Sequence, residues 1–173
     1  MNQELLTELN TFLAGLKIRP SSQREYELWL LSIVSWREAR GEGLLGLLCV
    51  QCSIRNRVKR PSWWGSTYPE VIRKSWQYSA MTAPGDRMTI SWPVTVNDQQ
   101  FGLTRELAEV VYDDKITSPV PGADSYYSDV IPAPKWAAQH PECFVEQIGH
   151  HKFYNMDNDF EWAEIEKRLW PTN

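Results

Sequence analysis

The chain has 173 residues, 42% of them hydrophobic, and 18 Lys or Arg against 22 Asp or Glu leave a net charge of −4. That length suits one domain with a real core, and nowhere do ~18 consecutive apolar residues supply a membrane span. The charge is uneven, +4 over residues 1–80 (11 basic, 7 acidic) and −8 over residues 81–173 (7 basic, 15 acidic), yet no basic stripe with interleaved aromatics marks a nucleic-acid surface.

Leu5, Leu6, Leu9, Phe12, Leu13 and Leu16 recur at helical spacing and predict an amphipathic helix over 3–17, with Pro20 beyond its end. Ser21 and Ser22 then open a nearly all-apolar segment carrying Leu28, Leu31, Ile33, Val34 and Trp36, which reads as a central helix ending near Gly41. Leu44, Leu45, Leu47, Leu48, Val50, Ile54 and Val58 continue as another helix, stopped by Pro61. The stretch STYPEVIRKSWQYS predicts a short helix from Pro69, because proline suits the first turn. Residues 81–102 are rich in turn formers and read mostly as loop. Thr104 is expected to cap a helix bearing Leu107, Ala108, Val110 and Val111, and a strand is expected at Ser125 to Ser128. FVEQIGHHKFYN looks extended, and the acidic C-terminal segment predicts a last helix over 158–170 capped by Asp157 or Asp159. The expected class is mainly α with a small β component, in one domain.

Cys49, Cys52 and Cys143 are odd in number, and the first two lie inside a predicted helix without neighbouring ligands, so buried thiols are expected rather than disulfides or a zinc site. Nine tryptophans are many for this length. Trp63, Trp64, Trp76, Trp92 and Trp136 stand among Pro, Gly, Ser and Tyr, where they either stack on sugar rings in a cleft or pack the core and its loops.

The joint between the two apolar helices reads SWREARGEGLLG and places Glu38, Arg40 and Glu42 beside Gly41 and Gly43. Glycine after Arg40 lets the backbone leave helical geometry, so Glu38 would sit in the last turn with its carboxyl at a cleft wall. A helix C-terminus and apolar neighbours both disfavour the charged form. A carboxyl kept protonated near neutral pH is what a glycosidase needs to protonate a leaving glycosidic oxygen. Glu42 begins the next helix, where the dipole favours its charge; it is either a helix-entry acid or a second catalytic acid. Arg40 is either a structural clamp or a holder of Glu42 or a substrate carboxylate.

The order EARGEGLLG, IRNRV, YPEVIRKSWQYS, PGADSYYS with PKW, and IGHHKFY resembles the cell-wall hydrolase family of spore-cortex-lytic enzymes of the SleB/CwlJ type. The resemblance spans about residues 35–154 and leaves both terminal helices outside. It implies a fold similar to lysozyme and lytic transglycosylases, and cleavage of the bond between N-acetylmuramic acid and N-acetylglucosamine. Glu38 then matches the catalytic glutamate, and Glu42 the second acid of the motif, as cleft support or substrate orientation. Asn56 and Arg57 match the NRV element, Gln77, Tyr78 and Ser79 the QFS position, Tyr126 the cleft aromatic, and His151, Phe153 and Tyr154 the closing motif. These residues, with Arg40, are the expected substrate contacts. Two positions depart from the family pattern: Leu47 follows Gly46 where Gln is usual, and Ser125 stands where His often precedes the tyrosine.

One acid working alone implies a lytic transglycosylase that forms a 1,6-anhydro sugar; Glu42 activating water would make the enzyme a hydrolysing muramidase. A metal-dependent amidase or peptidase is an alternative, raised by the adjacent His150 and His151 with His140 near, although adjacent residues of an extended stretch face opposite ways and no H-E-x-x-H helix exists. A peptidoglycan-binding or virion module without turnover is a further alternative. No cofactor or metal is called for, the expected partner is the glycan strand, and the expected state is a monomer. Without a signal segment, the expectation is synthesis in the cytoplasm and action on the wall after phage-type release or virion delivery.

Overall fold

The computed structural model describes residues 20–74, 77, 78, 81 and 99–156. The predicted helices at 3–17 and 158–170, and residues 82–98, lie outside them.

Helix α1, Gln23–Ala39, starts where Ser22 accepts a hydrogen bond from the Glu25 amide, satisfying one of the donors a helix start leaves open. Nearly every residue from Glu27 onward is buried, so this helix runs through the core, as its all-apolar pattern predicts. A 3-10 turn, Arg40–Glu42, leads into α2, Gly43–Lys59. The turn is released at Gly43, with φ +68°, rather than at Gly41; the backbone needs the left-handed region one step later than the sequence suggests. Helix α3, Tyr68–Arg73, opens with a reciprocal capping box between Thr67 and Glu70 and has Pro69 in its first turn.

Helix α4, Gln99–Tyr112, corrects the expected start at Thr104. Thr104 is buried inside that helix, and its hydroxyl donates to the Gln100 carbonyl at 2.7 Å. This back-bond satisfies the hydroxyl within the helix, as suits an interior position rather than a cap. Phe101, Thr104, Ala108 and Val111 form the buried face.

Helices α1, α2 and α4 pack against one another, and α3 packs on α1 and α2. Polar ties cross this core: the Gln51 amide donates to the Ser35 hydroxyl (2.9 Å) and the Thr104 carbonyl (3.0 Å), and the Tyr112 hydroxyl donates to Glu27 (2.7 Å). All three cysteines are free and buried, and burial pushes the Cys49 thiol up to about 12.

The remaining layer is an antiparallel sheet of β1 (Ser125–Ser128), β2 (Phe144–Ile148) and β3 (His151–Tyr154), in the order β1-β3-β2. The strand expected at Ser125 to Ser128 is present with those bounds, and the extended segment after it is the β2–β3 hairpin. A short helix α5, Lys135–Gln139, lies between β1 and β2. Register opposes Tyr126 to Phe153 and Ser128 to His151. Since alternate residues share a face, Tyr126, His151 and Phe153 all point to the helical core. Tyr127 and Tyr154 take the other face, where they meet Trp136, Ala137, Cys143 and Met156 in a smaller cluster.

Candidate active site

Glu38 lies in the last turn of α1, half-buried, where the helix meets the core-facing side of the sheet. The Tyr126 hydroxyl donates to Glu38 Oε2 at 3.1 Å. Behind that contact the Tyr126 ring lies 5.1 Å from the His151 ring and 5.4 Å from the Phe153 ring, centroid to centroid. Burial and the facing Glu38 charge hold the Tyr126 phenol well above its ordinary range, so the hydroxyl keeps its proton and acts as donor. Tyr78 is almost wholly buried beside the same charges, and its phenol is pushed up to about 12 by burial.

Arg57 supplies the positive charge beneath this cluster. Its guanidinium sits 5.4 Å from the Tyr78 ring and 5.3 Å from the Trp64 ring. Its Nε donates to the Asp124 carbonyl (2.6 Å) and Nη1 to Gln77 (2.9 Å). Asn56 donates to the Ala123 carbonyl at 2.8 Å. Both side chains are buried; they bind the chain that leads into β1 and so hold Tyr126 in place from below.

His151 is buried, and burial lowers its pKa below the usual imidazole range, so the ring is neutral at pH 7. Its Nδ1 has no hydrogen-bond partner among the described residues. His150 is exposed in the hairpin turn and bonded to Asp129 at 2.9 Å, which raises its pKa. Glu42 is at the N-cap position of α2 but does not cap that helix. Its Oε2 accepts instead from the His150 backbone amide at 2.8 Å.

The structure therefore brings together Glu38, Arg57, Gln77, Tyr78, Tyr126, His151 and Phe153, and sets Glu42 at the adjoining hairpin turn. Other expected contacts lie elsewhere. Arg40 stacks over the Trp36 ring at 4.8 Å, and its carbonyl accepts from Gln100 on α4. Tyr154 is on the opposite face of the sheet, in the smaller cluster, because it is one residue out of phase with Phe153. Ser79, Trp76 and Trp92 fall outside the described residues. Trp64 is a core residue, 1% exposed, donating to the Arg57 carbonyl; Trp136 packs in the smaller cluster.

Asp124 escapes sequence reasoning. It is fully buried, accepts from the Ser125 hydroxyl (2.8 Å) and the Met156 amide (3.2 Å), and lies 3.4 Å from Arg60 Nη2. Arg60 also donates to the Gly122 carbonyl and to Asn155. The available signal is the Gly-Ala-Asp step just before the strand, a common place for a side chain that organises a turn.

Among the described residues no group of three or more His, Cys, Asp or Glu could hold a metal ion, and no helix is long and apolar enough to cross a membrane.

Residues 41–154 match the Cell Wall Hydrolase family, a span that begins three residues after Glu38. The fold is similar to the crystal structure of the catalytic domain of the Bacillus cereus SleB protein, at 24% identity with a TM-score of 0.56, over 78% of this chain and 94% of that one. No curated protein matches the chain. With the family match covering most of the chain, and with the mainly helical fold and small sheet of that catalytic domain, the chain belongs to the cell wall hydrolase family, whose substrate is peptidoglycan.

Proposed function

We propose that the protein is a lytic transglycosylase that cleaves the bond between N-acetylmuramic acid and N-acetylglucosamine, with Glu38 as its one catalytic acid. The observation that carries this reading is the Glu38 carboxyl at a helix end, oriented by the Tyr126 hydroxyl at 3.1 Å, while the neighbouring Glu42 is turned to the hairpin. Glu38 first protonates the glycosidic oxygen, and the bond from that oxygen to muramic C1 breaks. The resulting carboxylate takes the proton of the muramic C6 hydroxyl as that oxygen closes on C1, giving a 1,6-anhydro end and regenerating the acid. Tyr126, half-buried and backed by the buried Tyr78 and Phe153 rings, offers a flat aromatic surface of the kind that suits a sugar ring. Release at the end of a phage cycle, or delivery with a virion, fits such a compact wall-degrading chain.

Purified Gram-negative peptidoglycan digested with the protein and with Glu38→Gln, followed by mass spectrometry of the soluble muropeptides, tests the reading. Anhydro ends, lighter by one water than hydrolytic ends and absent with Glu38→Gln, are expected. Reducing ends would mean that water attacks C1. Peptide-bond products, or wall binding without release of fragments, would overturn a glycosidase altogether.

A further inference from the structure

The contacts of Glu42 form a closed circuit through the site. It lies four positions after Glu38, across the 3-10 turn. From its Oε2 the path runs to the His150 amide at 2.8 Å, into β3 with His151 and Phe153, across the Tyr126–Phe153 register pair, and through the Tyr126 hydroxyl back to Glu38 Oε2.

Two glycines make room for this carboxylate. A Cβ on Gly149 would stand 1.8 Å from Glu42 Oε2, and a Cβ on Gly46 would stand 2.3 Å from Glu42 Cβ. Gly149 also has φ +56°, a conformation that glycine adopts without steric cost. The turn is braced from its other side: Gln147 donates to Asp129 (2.7 Å) and to the Gly149 carbonyl (3.0 Å), and His150 bonds Asp129. A turn held this rigidly carries any movement of Glu42 into the sheet.

We infer that Glu42 is a latch, a positioning residue that docks the β2–β3 hairpin on the helix joint and so fixes Tyr126 and His151 against the Glu38 carboxyl. The inference rests on the glycosidase reading for its effect on rate. It assigns to Glu42 a task that needs an acceptor oxygen and no proton transfer, which separates it from a second catalytic acid.

The test compares Glu42→Gln, Glu42→Ala and Gly149→Ala with the unaltered protein, reading the limiting rate of muropeptide release, glycan-strand affinity, and the His150 amide and Tyr126 ring signals by NMR. Glutamine keeps the acceptor, so Glu42→Gln is expected to stay within about threefold of the unaltered rate with an unshifted His150 amide. Glu42→Ala is expected to lose roughly 10- to 100-fold in the limiting rate, the scale of a ~1 Å misplacement, with affinity nearly held and both NMR signals moved. Gly149→Ala, which pushes the carboxylate out from the other side, should lose a like factor, and it reads the latch if Glu42→Ala does not fold. Glu42→Gln as slow as Glu42→Ala with the His150 amide in place would make the carboxylate a chemical participant and overturn the latch. Full activity in Glu42→Ala or Gly149→Ala would overturn it too. The sugar end released by the unaltered protein reports on the transglycosylase reading separately, and if no glycan is cut, the His150 and Tyr126 signals still decide whether Glu42 holds the hairpin.

Discussion

Replacing Tyr126 by Phe removes one hydroxyl and keeps the ring that packs on His151 and Phe153. Hydrogen bonds contribute roughly 0.5–1.5 kcal/mol between neutral groups and roughly 1.5–3 kcal/mol to charged ones, and Glu38 passes from acid to carboxylate during the cycle, so the charged range bounds the effect. The Tyr126–Glu38 contact is 3.1 Å long, beyond the usual O–H to O separation of about 2.7–2.8 Å, so the lower end of that range applies. About 1.5 kcal/mol corresponds to roughly a tenfold loss in rate. Tyr126 is only half-buried, so the melting temperature should change little. The assay is the initial rate of muropeptide release by matched amounts of the two proteins, with thermal melts alongside. Tyr126→Phe within twofold of the unaltered rate would refute the claim that this hydroxyl orients Glu38, and a loss that tracks a lowered melting temperature would show that the ring or strand had moved instead.

Asp124→Ala leaves the Ser125 hydroxyl and the Met156 amide without their acceptor; at ~1–3 kcal/mol per stranded donor the protein should lose about 2–6 kcal/mol of stability in denaturant titration. The two adjacent histidines should titrate in opposite senses. His151 is depressed by burial, so its contribution to stability is present above the unfolded value of ~6.5 and is lost as pH falls through its folded value. His150 is raised by Asp129, so its contribution is present below ~6.5 and fades as pH rises through its folded value. Imidazole NMR separates the two where a melt would sum them, and His151 titrating above His150 would contradict the burial argument. Finally, Gly41→Ala should be nearly neutral, since nothing lies within 4 Å of the added Cβ, whereas Gly46→Ala meets Glu42 Cβ at 2.3 Å and should cost about 1–3 kcal/mol despite the better helix propensity of alanine; equal melting temperatures would refute the difference.

The helices around the joint were readable because their information is local. A nearly continuous apolar run from Leu28 to Trp36 leaves a buried helix as the simplest outcome, and the short aromatic-bearing stretches SYYS and HKFY, set off by turn formers, read as extended. The start of α4 was missed because Thr104 looks like a cap in isolation, and only the i−4 carbonyl of an already formed helix makes it an interior residue. The sheet face was half readable. Two-residue alternation groups Phe153 with His151 and sets Tyr154 apart, yet the motif that carries all three invites treating them as one site.

The mainly helical class, the place of Glu38 at the end of a buried helix, and the ordered motifs that carry the family resemblance can be read from the linear chain, since each depends on neighbours a few residues away. Tertiary structure alone decided what those side chains touch. Tyr126 is 88 residues from Glu38 in the chain, and His150 is 108 from Glu42. Asn56 and Arg57 look like cleft residues in the motif, but their donors reach main-chain carbonyls 67 residues away. Residue type limits a side chain to donating, accepting or packing; which partner satisfies it depends on the few segments that burial of the apolar faces brings alongside, and no local pattern encodes that choice.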